Sequence, residues 1–236
     1  MEYLMHESIK ATELPHYIDQ TNLDPYATGQ DMEGFVKEAV AWQFYAVCVL
    51  PNWVPLAKKI TNRSFTKVAT VVSFPFGSDV SADKASSAKR LRQLGADEID
   101  MVVNVAAALA GDYETVEAEV ARVRQRLGGN GVLKVIIETP KLTAAQIKET
   151  ALAAERGGVD IVKTSTGFKG LGLRATTVAD VVQLRQVLLP STGIKASGGI
   201  RTWEMAQQMI AAGATRIGTS NGVGIMQEAL RLEQGD

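Results

Sequence analysis

Apolar residues along this chain recur on two alternating scales. Short runs rich in β-branched residues fall at 17–19, 45–49, 67–72, 98–103, 133–138, 160–163, 193–196 and 216–219. Runs this short, bounded by small polar residues or glycine, read as buried strands. Between them lie longer stretches with a single apolar stripe of helical period. The stripe is Met32, Phe35, Val36 and Ala39 within 31–43, Ala85, Ala88, Leu91 and Leu94 within 83–94, and Val116, Val120, Val123 and Leu127 within 113–127. It continues as Ile147, Ala151 and Ala154 within 144–155, Val178, Val181, Val182, Leu184 and Leu188 within 178–189, and Met205, Met209 and Ala212 within 203–212.

The helical stretches carry stop signals. Gly95, Gly128-Gly129, Gly157-Gly158 and Gly213 follow the last apolar turn, where a left-handed residue is wanted. Thr143 and Gln146 form a capping-box pair before one stripe. A helix end, a glycine and the next strand recur at 94–100, 156–162 and 212–218. Eight strand–helix units in 236 residues, about 30 residues each, suit a (β/α)8 TIM barrel of class α/β. An open doubly wound sheet is the alternative. It is disfavoured because no GxGxxG follows the first run, and because the loops after runs six, seven and eight are all polar and glycine-rich. A single domain over 1–236 is expected, with 1–15 an N-terminal extension or helix.

In such a barrel the chemistry sits at the C-terminal ends of the strands. Three charged residues stand near such ends: Asp100 on the fourth run, Lys163 on the sixth and Lys195 on the seventh. Strands six and seven are neighbours, so two inward lysines lie close enough to repel. Burial and a cationic neighbour both lower an amine's pKa and leave it free to attack a carbonyl. A carboxylate beside them holds the second lysine charged and moves protons. A single lysine is more ordinarily read as facing outward with its head in solvent. Two on adjacent strands together with an aspartate favour a Schiff-base lyase.

The loops suggest the rest of the substrate. Gly198-Gly199-Ile200 follows the seventh run and Gly218-Thr219-Ser220-Asn221-Gly222 the eighth. Loops at these places make the common phosphate site of such barrels, and Thr166-Gly167 closes a third side. Glycines that merely turn tight loops are the plainer alternative for each.

Composition narrows the class without changing it. The chain is 46% hydrophobic and 22% charged, with a net charge of -1, so neither a nucleic-acid binder nor a membrane-surface protein is indicated. One cysteine, Cys48, rules out an internal disulfide and fits a reducing compartment. No signal-like leader or membrane-length apolar run is present, and the expectation is a cytoplasmic protein.

The segments 98–102 (EIDMV), 163–168 (KTSTGF), 195–201 (KASGGIR), 46–49 (AVCV) and 134–139 (KVIIET) resemble the deoxyribose-phosphate aldolase family, over about residues 17–226. The resemblance implies reversible cleavage of 2-deoxy-D-ribose 5-phosphate to D-glyceraldehyde 3-phosphate and acetaldehyde, with no metal and no cofactor. It implies Lys163 as the Schiff-base lysine, Lys195 as the second lysine lowering its pKa, and Asp100 as the proton relay acting through a water. Asp19 and Thr21 match a first-strand motif near the substrate. Gly167, Gly198, Gly199, Gly218 and Ser220 fall on the phosphate loops, with Thr166, Lys169 and Asn221 beside them.

Cys48 matches a family cysteine, though a small buried hydrophobe is the favoured reading of it. The partners implied are small phosphorylated sugars and aldehydes. Exposed helices of such barrels commonly pair, so a homodimer or higher homo-oligomer is expected, though no segment carries an interface signature.

The chain departs from the family pattern at Gln20, Asn22, Phe76 and Asn221, and in the loop 169–174, where Lys169 and Arg174 are either phosphate contacts or solvated charges. It also lacks the tyrosine-bearing tail of some members. These differences leave two further readings: an aldolase of shifted, unphosphorylated preference, and a non-catalytic phosphosugar-binding barrel. With His6 and His16 its only histidines, a histidine-rich metal site is not expected.

Overall fold

Eight parallel strands close on themselves in sequence order: β1 (Ile18–Asn22), β2 (Ala46–Val49), β3 (Lys67–Val72), β4 (Glu98–Val102), β5 (Val132–Ile136), β6 (Ile161–Lys163), β7 (Gly193–Ser197) and β8 (Arg216–Thr219). They are seen in a computed structural model that describes residues 9–234. Around them lie α1 (Gly29–Ala41), α2 (Val54–Thr61), α3 (Ser81–Gln93), α4 (Val105–Ala110), α5 (Tyr113–Leu127), α6 (Ala144–Arg156), α7 (Val178–Val187), α8 (Trp203–Ala211) and α9 (Gly222–Gln234). This is the single-domain (β/α)8 barrel that the alternating pattern predicts. No described helix is long and apolar enough to cross a membrane.

The six striped stretches all form helices, and the stop glycines at 95, 128, 158 and 213 take positive φ. Thr143 and Gln146 form the expected reciprocal cap on α6. Helices α2, α4 and α9 lie outside those stripes. α2 and α4 are too short to show a period, and α2 carries a proline in its first turn. Of the expected N-terminal extension, 1–8 lie outside the described residues. A 3-10 helix, Ala11–Tyr17, packs its buried Leu14 beneath the barrel, and Ala11 N–H donates to Glu233 of α9.

Strand alternation separates two environments. One face of the barrel, with Val47, Val68, Ile99, Met101, Leu133, Val135, Val162, Ile194 and Ile217, joins the main core with the helices. The other face points inward. Over β2 and β3 it is small and apolar: Ala46, Cys48, Ala69 and Val71 form a separate cluster. Over the other strands it is charged, where such barrels usually pack branched aliphatics. The register aligns these residues in rows, pairing Asp100 with Lys134, Lys163 with Lys195, and Lys195 with Arg216. Laterally paired residues of parallel strands point the same way, so these side chains must meet inside.

Candidate active site

Inside the barrel one carboxylate joins three amines. Asp100 Oδ2 accepts from Lys163 Nζ at 2.9 Å and from Lys195 Nζ at 2.8 Å, and its Oδ1 accepts from Lys134 Nζ at 2.8 Å. Below it Lys134 also reaches Glu98 at 2.5 Å and Asp19 at 3.1 Å. Lys195 reaches Asp19 at 2.6 Å. Arg216 contacts Asp19 at 2.9 Å and lies over the Tyr45 ring at 3.4 Å from its centroid. All of these charged groups are buried.

Four cations therefore face three carboxylates in this network. A buried ion network returns little net stability, because desolvation offsets the Coulomb gain. One surplus cation is costlier still, and releasing its proton removes the cost. The environments of the three lysines differ in how far they favour this. At Lys163 burial lowers the pKa; Asp100 opposes this and the charge of Lys195 adds to it, and the result is a lowered value. At Lys134 and Lys195 burial also acts downward, but Asp100 and Asp19 outweigh it and both stay charged. Burial pushes Asp19 and Asp100 up, yet the surrounding cations more than offset it and hold both well below the usual carboxylate range.

Lys163 is also the amine that opens to a cavity. The cavity holds about 480 Å³ at the C-terminal end of the barrel. Lys163 is in its lining, while Lys195, Lys134 and Asp100 lie beneath it. Leu23, Phe74, Phe168 and Ile200 make an apolar part of the wall; Phe74 and Phe168 meet edge to face, 6.1 Å between centroids. Thr21, Thr166, Gly167, Ser197, Gly198, Gly199, Gly218, Thr219 and Ser220 make the polar part, with Arg201 at the rim.

Gly218 has a steric reason to be glycine. A Cβ there would stand 2.8 Å from Lys195 Cε and 2.9 Å from Ser197 Cβ. The Lys195 side chain thus lies against Gly218 of β8 on its way to Asp100. Gly167 and Gly198 are likewise packed together: a Cβ on Gly167 would lie 3.1 Å from Gly198 Cα.

The loops offer unequal donors. Thr166 N–H is taken by Glu138, Gly167 N–H by Ser165 Oγ, and Phe168 N–H by Thr166 Oγ1. Among the described residues, the N–H groups of Gly198, Gly199 and Ser220 have no protein acceptor. The free N–H donors therefore concentrate on the loops after β7 and β8, and Gly167 contributes packing.

The sequence-selected residues divide accordingly. Lys163, Thr21, Thr166, Gly167, Gly198, Gly199, Gly218 and Ser220 line the cavity. Asp100 contacts both lysines directly. Asp19 lies below, held by Lys134, Lys195 and Arg216. Cys48 is wholly buried in the apolar cluster and off the cavity wall, and burial raises its thiol pKa.

Asn221 is exposed outside the lining, and its amide donates to Arg201 O. Arg174 grips Asp180 with two hydrogen bonds at 2.7 and 2.8 Å, fastening its loop to α7. The side chain of Lys169 lies outside the described residues. Gln20 is buried and accepts from Gly222 N–H at 2.9 Å, tying β1 to the start of α9.

Sequence reasoning missed Lys134, Glu98, Arg216 and Glu138, and passed over Ser197 and Arg201. A signal existed for two of them. Lys134 interrupts an apolar run as Lys163 does, and Glu98 stands two residues before Asp100, on the same strand face.

Residues 14–228 match the family model described as DeoC/LacD family aldolase. The deoxyribose-phosphate aldolase of Thermococcus kodakarensis is 47% identical over 222 residues, 92% of this chain and 97% of that protein. That of Deinococcus radiodurans is 47% identical over 213 residues, 90% of this chain and 95% of that protein. Among solved structures, the deoxyribose phosphate aldolase of Aeropyrum pernix, described as a tetramer, superposes with a TM-score of 0.83 at 29% identity. It covers 94% of this chain and 93% of its own.

Proposed function

The chain belongs to the DeoC/LacD family of aldolases, and we propose that it cleaves 2-deoxy-D-ribose 5-phosphate reversibly through a Schiff base on Lys163. The carrying observation is that, of the three lysines on Asp100, Lys163 alone lines the cavity and alone has a lowered pKa. A neutral amine at the cavity floor is what addition to an aldehyde requires.

The open-chain sugar enters with its aldehyde toward Lys163. The amine adds to C1, and the carbinolamine loses water to give a cationic iminium. Asp100 Oδ2, 2.9 Å from Nζ, stabilises that charge without rearrangement, which is how preorganised groups act. The iminium draws the electron pair of the C2–C3 bond as the C3 hydroxyl gives up its proton. D-Glyceraldehyde 3-phosphate leaves with C3 to C5. The remaining enamine takes a proton at C2, and water releases acetaldehyde from Lys163. Asp100 and Lys195 form the proton-transfer pair beneath the cavity. Their shared hydrogen bond keeps the proton close to the reacting nitrogen.

The phosphate fits the opposite end. The free N–H groups of Gly198, Gly199 and Ser220 lie there beside Arg201, and backbone donors near a helix N-terminus suit an anion. A coupled assay on 2-deoxyribose 5-phosphate, run beside unphosphorylated 2-deoxyribose, tests the substrate. A kcat/KM favouring the phosphorylated sugar by at least about a hundredfold is expected. Equal values would support the unphosphorylated reading instead.

A further inference from the structure

Glu138 follows β5 and takes no part in the ionic network, yet it is 2% exposed. Its backbone is left-handed, φ 58 and ψ 57, a conformation residues other than glycine seldom adopt. Hydrogen bonds on either side hold it there: Ile137 N–H donates to Lys163 O at 3.1 Å, and Thr139 N–H to Thr164 O at 2.8 Å. Such a backbone, fixed by its surroundings, points to a residue placed for a purpose.

The purpose is legible in its side chain. Glu138 Oε1 accepts from Ser165 Oγ at 2.5 Å and from Thr166 N–H at 3.1 Å. Oε2 has no partner among the described residues, so its hold on the loop runs through Oε1. Since a carboxylate only accepts, the Ser165 hydroxyl must spend its proton on Glu138. Its lone pairs then face Gly167 N–H, which donates at 3.0 Å. The carbonyl of the same serine accepts from Ser197 Oγ at 2.6 Å. Ser197 immediately precedes Gly198, whose Cα packs against Gly167. A single carboxylate oxygen thus fixes Ser165, and Ser165 fixes both glycine walls against each other.

We propose that Glu138 is a positioning residue for the phosphate end of the cavity: it acts through Ser165 to set the Gly167–Gly198 contact and so the height of the Gly198 and Gly199 donors. It touches neither Lys163 nor Asp100 through any side-chain hydrogen bond, so it governs anion affinity and leaves amine chemistry intact. The inference rests on the reading of these loops as a sugar-phosphate site.

The test compares wild type with Glu138→Ala and Glu138→Gln, each shown folded by circular dichroism. Glu138→Ala raises KM for 2-deoxyribose 5-phosphate roughly tenfold with kcat little changed, the signature of lost uniform binding. For unphosphorylated 2-deoxyribose kcat/KM stays within about twofold. Glu138→Gln keeps one acceptor oxygen and recovers most of the KM. Equal losses on both sugars, or an unchanged KM, overturn the proposal. If Glu138→Ala does not fold, Ser165→Ala breaks the same link and must show the same split. Titration with inorganic phosphate needs no turnover: weaker binding by folded Glu138→Ala supports the assignment even if the true sugar differs, and equal binding overturns it.

Discussion

Lys163 and Lys195 place their Nζ atoms on one carboxylate oxygen, Asp100 Oδ2, at 2.9 and 2.8 Å. The shared oxygen makes the two amines unequal. Lys195 has a second carboxylate, Asp19, at 2.6 Å, and among the described residues Lys163 has none. One carboxylate cannot fully compensate two buried ammonium groups, so the lysine with the poorer environment is the one whose pKa is lowered. That lysine is also the one facing the cavity.

Replacing Lys195 tests the coupling. Burial is the largest cause of the lowered pKa of Lys163, Asp100 opposes it, and Lys195 reinforces it. Lys195→Leu removes the reinforcement, so the pKa of Lys163 rises and fewer amines are neutral at a given pH. The rising limb of kcat/KM therefore moves to higher pH, by roughly one unit. An unmoved limb in a folded variant would show that Lys195 does not tune its neighbour.

Lys134 should matter more to stability than to the pH of the reaction. It is the cation shared by Asp19, Glu98 and Asp100. Lys134→Met leaves buried carboxylates short of a partner, which costs about 3–5 kcal/mol. The pH dependence follows from the lowered carboxyls. Asp19 and Asp100 contribute stability that is fully present above the unfolded carboxyl value, about 3.9, and lost as pH falls toward their folded values. Without Lys134 those folded values rise, and acid unfolding begins at higher pH. Denaturant melts across an acid series give both quantities.

Gly218 separates packing from charge. Gly218→Ala would set a methyl 2.8 Å from Lys195 Cε and push that amine from Asp100 without altering any ionisable group. A fall in kcat of roughly tenfold or more is expected, since small misplacements at a reacting centre cost this much. Wild-type kinetics from Gly218→Ala would mean that the path of Lys195 is not critical.

The barrel was legible because eight β-branched runs alternate with striped stretches. Lys163, Lys195 and Asp100 were legible because they stand near strand ends. Lys134 looks the same in sequence as Lys163, a lysine inside an apolar run. The apolar run 133–138 puts it near the start, away from the C-terminal end where chemistry is expected, and only the register with Asp100 shows that the two stand at one level and face the same interior. Arg216 and Glu98 were hidden for the same reason. The sequence reads Arg174 as either a phosphate contact or a solvated charge, and its grip on Asp180 is a tertiary contact that no local pattern announces. Glu138 could not be found from sequence, because its left-handed backbone contradicts the local preference of a glutamate.

The most direct test of the account is borohydride trapping. Folded protein is incubated with acetaldehyde, reduced, digested and mapped by mass spectrometry, with Lys163→Ala alongside. The expected result is an ethyl group on Lys163 and no stable adduct at Lys134 or Lys195 at neutral pH. An adduct on Lys195 with Lys163 unmodified, or no adduct in folded protein, would contradict the assignment of the buried neutral amine.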